Sequence, residues 1–187
     1  MNDFRSEREK MLAGDLYRAD DPELVRERLR ARELTARYNA SPPGDDGGRG
    51  SLLGELLAAV GEGASIEPPF HCDYGWNISL GARAFLNFDC VALDCAPVVI
   101  GDGCLVGPAV QFCAATHTPD PAVRADGLEL AGPITLGSNV WVGAGVIFGA
   151  GVTVGDNSVI GAGSVVLEDV PENVLAAGSP CRVIRAL

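Results

Sequence analysis

"LGSNVWVGAGVIFGAGVTVGDNSVIGAGSVV", residues 136–166, returns a bulky apolar side chain at every sixth position. Leu136, Val142, Phe148, Val154, Ile160 and Val166 keep the beat, and glycine follows each of the first five. A helix repeats at about 3.6 residues and a strand at 2, so neither period gives six. Three strand alternations would also give six, but the second residue after each marker is Ser138, Ala144, Ala150, Asp156, Ala162 or Glu168, none core-like. The fourth is Val140, Val146, Val152, Ser158, Ser164 or Val170, all small. The unit is therefore one large inward residue, a bend, and one small residue. Hexapeptide repeats of this kind build parallel β-helix solenoids. Each forms one wall of a triangular prism, and the stacked coils gain stability from neighbour contacts. The glycine after each marker is expected to relax backbone sterics near the corner.

The beat extends backwards through Ile100, Val106 and Phe112, and before them through Leu80, Leu86 and Ala92. Their small partners are Ala84, Cys90, Ala96, Cys104, Val110 and Thr116. The step from Ala92 to Ile100 is eight, read as a two-residue corner bulge. The step from Phe112 to Leu136 is twenty-four, yet "HTPDPAVRADGLELAGPI" does not keep the pattern. That stretch, at about 117–133, is expected to be a loop that leaves one coil and rejoins the next.

The 187 residues fit one domain, and 24 glycines with only 6% aromatics suit a narrow prism. No apolar run is long enough to span a membrane, and "MNDFRSEREK" lacks the apolar stretch of a signal peptide. A net charge of −11 argues against nucleic acid, because phosphate contacts need a basic face. Six cysteines show no metal-site spacing, and Cys90 and Cys104 fall in small inward slots. Reduced thiols and a cytoplasmic location are the expectation.

Residues 1–62 read differently. "DFRSEREKMLAG" and "DPELVRERLRARELTARYN" look helical, with Asp21 as N-cap and Pro22 at the first helical position. Leu24, Ala31, Leu34 and Tyr38 then share a face, and the arginine-rich run reads as solvated. "ASPPGDDGGRG" reads as a loop, and Ser51 as the start of a third helix, "LLGELLAAVGE". This segment is expected to cap the first coil of a solenoid spanning 63–187.

Function in a solenoid concentrates where the repeat is interrupted. His117 sits at the mouth of the excursion and reads either as a satisfied loop-edge residue or as a general base. His71 has no such positional argument. Asn87 reads as a corner residue tolerating positive φ or as a polar contact in a cleft. Asp73 and Asp94 read alone as solvated loop carboxylates. Trp141, a large aromatic in an outward slot, favours an interface or a ligand. Arg182 and Arg185 suit a phosphate clamp or ordinary tail charges.

"EREKMLAGDLYRADDPELVRERLRARELTARYN", "IEPPFHCDYGWNISLGARAFLNFDCVALDC", "CAATHTPDP", the opening stretch and "AAGSPCRVIRAL" together resemble the maltose and galactoside O-acetyltransferase family, in order and over essentially the whole chain. "HCDYGWNI", "FDCVALD" and "THTPDP" bring it nearer the maltose branch. The resemblance implies a left-handed parallel β-helix with an N-terminal α-helical segment, an exception to the right-handed crossover rule. It implies a homotrimer with active sites between prisms. It implies acetyl-CoA as co-substrate, no metal, and His117 as the base for direct transfer to a sugar hydroxyl. Asn87 matches a contact to acceptor and transition state, and Asp73 and Asp94 match acceptor-side positions. Trp141, Ala144 and Ala162 match the pantetheine channel, and Arg182 and Arg185 match the phosphate-binding pair. The family often has Thr-Lys after "GSVV"; here Leu167-Glu168 stands in its place, which removes a cation from the phosphate end.

Other readings stay open at this point. A galactoside, an oligosaccharide signal or an antibiotic could be the acceptor on the same fold. A zinc carbonic anhydrase needs three protein ligands, most often histidine, and this chain has two histidines, forty-six positions apart. A structural pseudo-enzyme is disfavoured by the presence of both Asn87 and His117.

Overall fold

The computed structural model describes residues 4–187. The fold is mainly β, a parallel β-helix of hexapeptide repeats preceded by short helices. Three walls run along it. The first stacks Ala59–Val60, Ile78–Leu80, Val98–Ile100, Ile134–Leu136 and Thr153–Val154. The second stacks Ser65–Ile66, Phe85–Leu86, Leu105–Val106, Trp141–Val142, Val159–Ile160 and Val174–Ala177, and Arg182–Ala186 closes it antiparallel. The third stacks Phe70–Cys72, Cys90–Leu93, Gln111–Cys113, Ile147–Phe148 and Val165–Val166.

Every marker read from the sequence is buried, and so is every small partner except one. The exception is Thr116, which lies exposed in the short strand Ala115–Thr116 after the chain has left the coil. The beat also begins earlier than expected. Val60, Ile66 and Cys72 pair in register with Leu80, Leu86 and Ala92 and form the first coil. The coil advances twenty residues from Val60 to Leu80 and again to Ile100, but eighteen from Leu136 to Val154. The extra two residues fall at the corner between the third wall and the first.

The glycines after the markers serve stacking rather than torsion. A Cβ on Gly101 would lie 2.4 Å from the Gly137 carbonyl oxygen of the next coil. The positive φ of that corner falls two residues later, at Gly103 and, one coil on, at Asn139. Asn139, Asn157 and Asn173 accept this conformation in successive coils and bond to one another at 3.0 and 3.1 Å.

Helix α1 spans Glu7–Ala13; the Asp3 start of the expected helical stretch lies outside the described residues. Helix α2 (Pro22–Asn39) has the expected Asp21 cap and buries Leu24, Ala31, Leu34 and Tyr38. Helix α3 (Asp46–Leu56) begins inside the run expected to be a loop, because Asp45 caps it by accepting from the Gly48 N–H at 3.0 Å. It ends at Leu56, since Ala59–Val60 is already a strand of the first wall. Ala31, Leu34, Tyr38, Leu53 and Leu56 join Ile66 and Phe70 in one core, so α2 and α3 close the end of the prism. Among the described residues, no helix is long and apolar enough to cross a membrane.

The excursion is ordered rather than a bare loop. Leu128–Ala131 pairs antiparallel with Ala115–Thr116 on one side and with Tyr17–Arg18 on the other. Between them Asp120 caps helix α4 (Pro121–Ala125), and Gly127 makes the turn at a φ of 74°.

Candidate active site

Three of the residues singled out in the sequence follow third-wall strands in successive coils. Asp73 follows Phe70–Cys72, Asp94 ends Cys90–Leu93, and His117 comes four residues after Gln111–Cys113. His117 is exposed at the mouth of a cleft of about 350 Å³, lined also by Arg28, Arg32, Asp73, Cys95 and Glu129. Asp94 lies beneath this cleft rather than in it. It is fully buried, and its Oδ1 accepts from the N–H groups of Asp73 (3.0 Å) and Tyr74 (2.8 Å). Its Oδ2 has no partner, and burial pushes its pKa up to about 6. Asp94 thus shapes the loop that presents Asp73. Burial also raises the Asp73 carboxyl, against the pull of Arg28.

Two cleft residues carried no local signal in the sequence. Glu129 is placed by the buried Tyr17, whose hydroxyl donates to it at 2.9 Å across 112 residues. Arg28 turns in from the otherwise mostly exposed arginine run, donating to the Tyr74 hydroxyl (2.7 Å) and the Ala19 carbonyl (2.6 Å). Their side chains reach the cleft through tertiary contacts that no repeat encodes.

A separate groove runs along the second wall. Trp141 is 58% exposed, and Gly107, Gly143, Ala144, Gly161 and Ala162 lie beside it in an apolar trough of about 460 Å³. The column of glycine and alanine leaves the backbone open to an extended chain. Asn87 and Trp141 share an adjoining hollow of about 260 Å³. Asn87 Oδ1 accepts from the Phe88 N–H at 2.8 Å, which fixes the amide and leaves Nδ2 as its outward donor. Positive φ does not account for this asparagine; in its corner that torsion belongs to Asp89, at 62°.

Arg182 and Arg185 stand opposite Ala177 and Leu175 in the final strand pair, and Leu175 lines the trough. Opposed residues of an antiparallel pair share a face, so both arginine side chains leave the wall on the side of the trough. Glu168 already faces Arg182 at 3.4 Å.

His71 points outward from Phe70–Cys72 and lines neither cleft. All six cysteines are free, and burial raises the thiols, with Cys90 at about 11 and Cys95 at about 12. Nucleophilic catalysis by a thiolate does not fit such groups. Among the described residues, no three His, Cys, Asp or Glu side chains are placed to hold a metal.

A parallel β-helix of hexapeptide repeats, with an apolar trough along one wall and a polar cleft where the repeat is interrupted, has the architecture of the hexapeptide transferases. Residues 10–61 match the maltose acetyltransferase hexapeptide capping motif, and residues 133–168 match the bacterial transferase hexapeptide (six repeats). Nodulation protein L of Rhizobium meliloti (strain 1021) is 53% identical over 96% of this chain and 98% of its own. A maltose O-acetyltransferase structure from Clostridium difficile 630 superposes with a TM-score of 0.97 at 43% identity, covering 99% of both chains. A galactoside acetyltransferase solved with coenzyme A superposes at 0.94, also at 43% identity, over 97% of this chain and 91% of that one. The chain belongs to the hexapeptide-repeat acetyltransferases, of the maltose and galactoside O-acetyltransferase kind, and it is an acetyltransferase.

Proposed function

We propose that this enzyme transfers an acetyl group from acetyl-CoA to a hydroxyl of maltose, glucose or a related sugar, in a site shared between chains of a homotrimer. One observation supports this most directly: the His117 cleft and the Asn87–Trp141 trough share no lining residue within the chain. The base and the amide belong to different corners, so a second copy must bring them together. Half a site on each of two faces is what a cyclic assembly of identical chains completes.

In the mechanism, the pantetheine arm lies along the glycine and alanine column beside Trp141, with its phosphates toward Arg182 and Arg185. The acceptor lies in the cleft, held by Asp73, with Glu129 at its rim. The His117 imidazole takes the proton of the acceptor hydroxyl while that oxygen attacks the thioester carbonyl carbon. The carbonyl π pair moves onto oxygen, and the Asn87 Nδ2 donor of the neighbouring chain stabilises the tetrahedral oxyanion. Collapse breaks the carbon–sulfur bond, the imidazolium returns the proton to sulfur, and CoA and the acetyl ester leave. Asp94 keeps the backbone of Asp73 and Tyr74 in place without touching the acceptor.

Mixing two inactive chains tests the shared site. His117→Ala and Asn87→Ala are each expected to lower kcat by roughly 10²- to 10⁴-fold. Co-expressed in equal amounts, they should regain about a quarter of wild-type turnover, since one site in four then combines an intact histidine with an intact asparagine. Turnover that stays at the level of the single variants places both residues in one chain's site and ends this reading.

A further inference from the structure

A further cleft lies outside both halves of that site. About 570 Å³ in volume, it opens between the α2–α3 turn and the Asn87 corner, and Asp46, Arg49, Glu67 and Phe88 line it. Its position follows from the register of the second wall. Ile66 pairs with Leu86 and Leu86 with Val106, so the next residues, Glu67, Asn87 and Gly107, stand side by side on one face. Neighbouring strands lie about 4.8 Å apart. The outward column that forms the trough at Gly161, Gly143 and Gly107 therefore passes through Asn87 and ends at Glu67.

The polar groups at this end are fixed in advance. The Arg49 side chain is 16% exposed, and its Nε donates to Ser41 Oγ at 2.8 Å. Its Nη1 lies 3.8 Å from the Glu67 carboxylate, too far for a hydrogen bond, so both groups retain bonding capacity toward the cleft. Asp46 adds a second carboxylate. One guanidinium beside two carboxylates disfavours an anion and suits a neutral ligand that both accepts and donates. Phe88, half-exposed, supplies an apolar face against this polar set. An aromatic platform with a few placed polar groups, in a volume of this order, has the make-up of a small-molecule site. A pyranose ring, apolar on its C–H face and rich in hydroxyls at its edge, has the matching chemistry.

We infer that this cleft is a second sugar subsite, which binds the next ring of an oligosaccharide acceptor whose terminal ring is acetylated beside Asn87. The inference rests on the sugar-acceptor reading above. With the thioester reaching Asn87 along the trough from the Gly107 side, the Glu67 side of Asn87 is left for the rest of the acceptor beyond the ring held at Asp73, and the cleft lies there.

The test compares kcat/KM for glucose with that for maltose, and for N-acetylglucosamine with that for its β-1,4 disaccharide, in wild type and in Phe88→Ala. At least one disaccharide should exceed its monosaccharide by about tenfold, or about 1.4 kcal/mol. That ratio should collapse toward one in Phe88→Ala, which removes a half-exposed side chain and leaves the prism core intact. Arg49→Lys, which keeps the charge and loses the fork, should reduce the ratio by less. Ratios near one in wild type, or an advantage unchanged by Phe88→Ala, overturn the subsite while leaving monosaccharide acetylation standing. Absence of acetylation on every sugar overturns the acceptor reading itself, and the subsite with it.

Discussion

Two corners of the same prism use their polar residues in opposite ways. At the corner between the first and second walls, Asn139, Asn157 and Asn173 repeat at eighteen and sixteen residues, and each side-chain amide is bonded to the next. Asp156 Oδ1 accepts from the Ser138 N–H at 2.7 Å in the same layer. Those polar groups satisfy one another, and the corner is inert. At the corner between the third wall and the first, two extra residues per coil, then the whole excursion, break the stack. There Asp94 Oδ2 is left without a partner, Asp73 and Glu129 face a cleft, and His117 stands exposed. A repeat consumes hydrogen-bonding capacity; its interruption releases capacity for a ligand.

If interruption is confined to the surface, the core beneath it should be continuous, and losing that continuity should carry the largest cost. Phe112 and Phe148 bracket the excursion and stack at 5.3 Å between centroids and 9° between planes, both fully buried. Phe112→Ala is expected to destabilise the protein by about 3–5 kcal/mol, measured by denaturant unfolding of the assembled enzyme. A cost below about 1 kcal/mol would mean the two halves of the solenoid are not joined through this pair.

The contrast between corners also explains what could be read in advance. Markers and small slots were legible because stacking forces the same side chain into the same place every coil, as with Val154 above Leu136. The first coil is hard to read because Cys72 is small and no glycine follows Ile66 or Cys72, the markers after Val60. The eight-residue step from Cys72 to Leu80, the same as that from Ala92 to Ile100, was the available signal. Helix α3 hid in a glycine-rich run whose composition outweighed its single capping aspartate. Of the candidate site, His117 is marked by the break in the beat and Trp141 by its outward slot. Asp94 reads as a solvated loop residue yet is fully buried, and Glu129 and Arg28 owe their places to Tyr17 and Tyr74. Such long-range partners leave no trace in local period.

Asp94 gives the comparison a pH-dependent edge. Its carboxyl titrates near 6 in the fold against 3.8 for the free side chain, so between those values the folded state holds a proton that the unfolded chain has released. Stability from this group therefore falls as pH rises from about 4 to 6 and levels off above that. A shift of about two units corresponds to on the order of 2–3 kcal/mol. Asp94→Asn keeps an oxygen for the Asp73 and Tyr74 N–H groups and removes the charge, so the stability difference between wild type and variant should move in the variant's favour by about that amount between pH 4 and 7. A difference that stays flat with pH would show that Oδ2 is solvated and that this corner is as well satisfied as the asparagine ladder.

The smallest expected effect lies at the far end of the trough, where the chain departs from its family's usual Thr-Lys. Glu168 and Arg182 approach at 3.4 Å with both side chains largely exposed, so their pairing contributes little to stability. Under the proposed cofactor placement its consequence is competitive: a CoA phosphate would share Arg182 with a carboxylate the protein itself supplies. Glu168→Lys removes that competitor and adds a cation, which should lower KM for acetyl-CoA by roughly three- to tenfold at low ionic strength, with the gain shrinking as salt is added. An unchanged KM in low salt would place the phosphates away from Arg182. The final strand would then be a stack like the asparagine corner, its charges already spoken for, and the working face of the trough would end at Leu175.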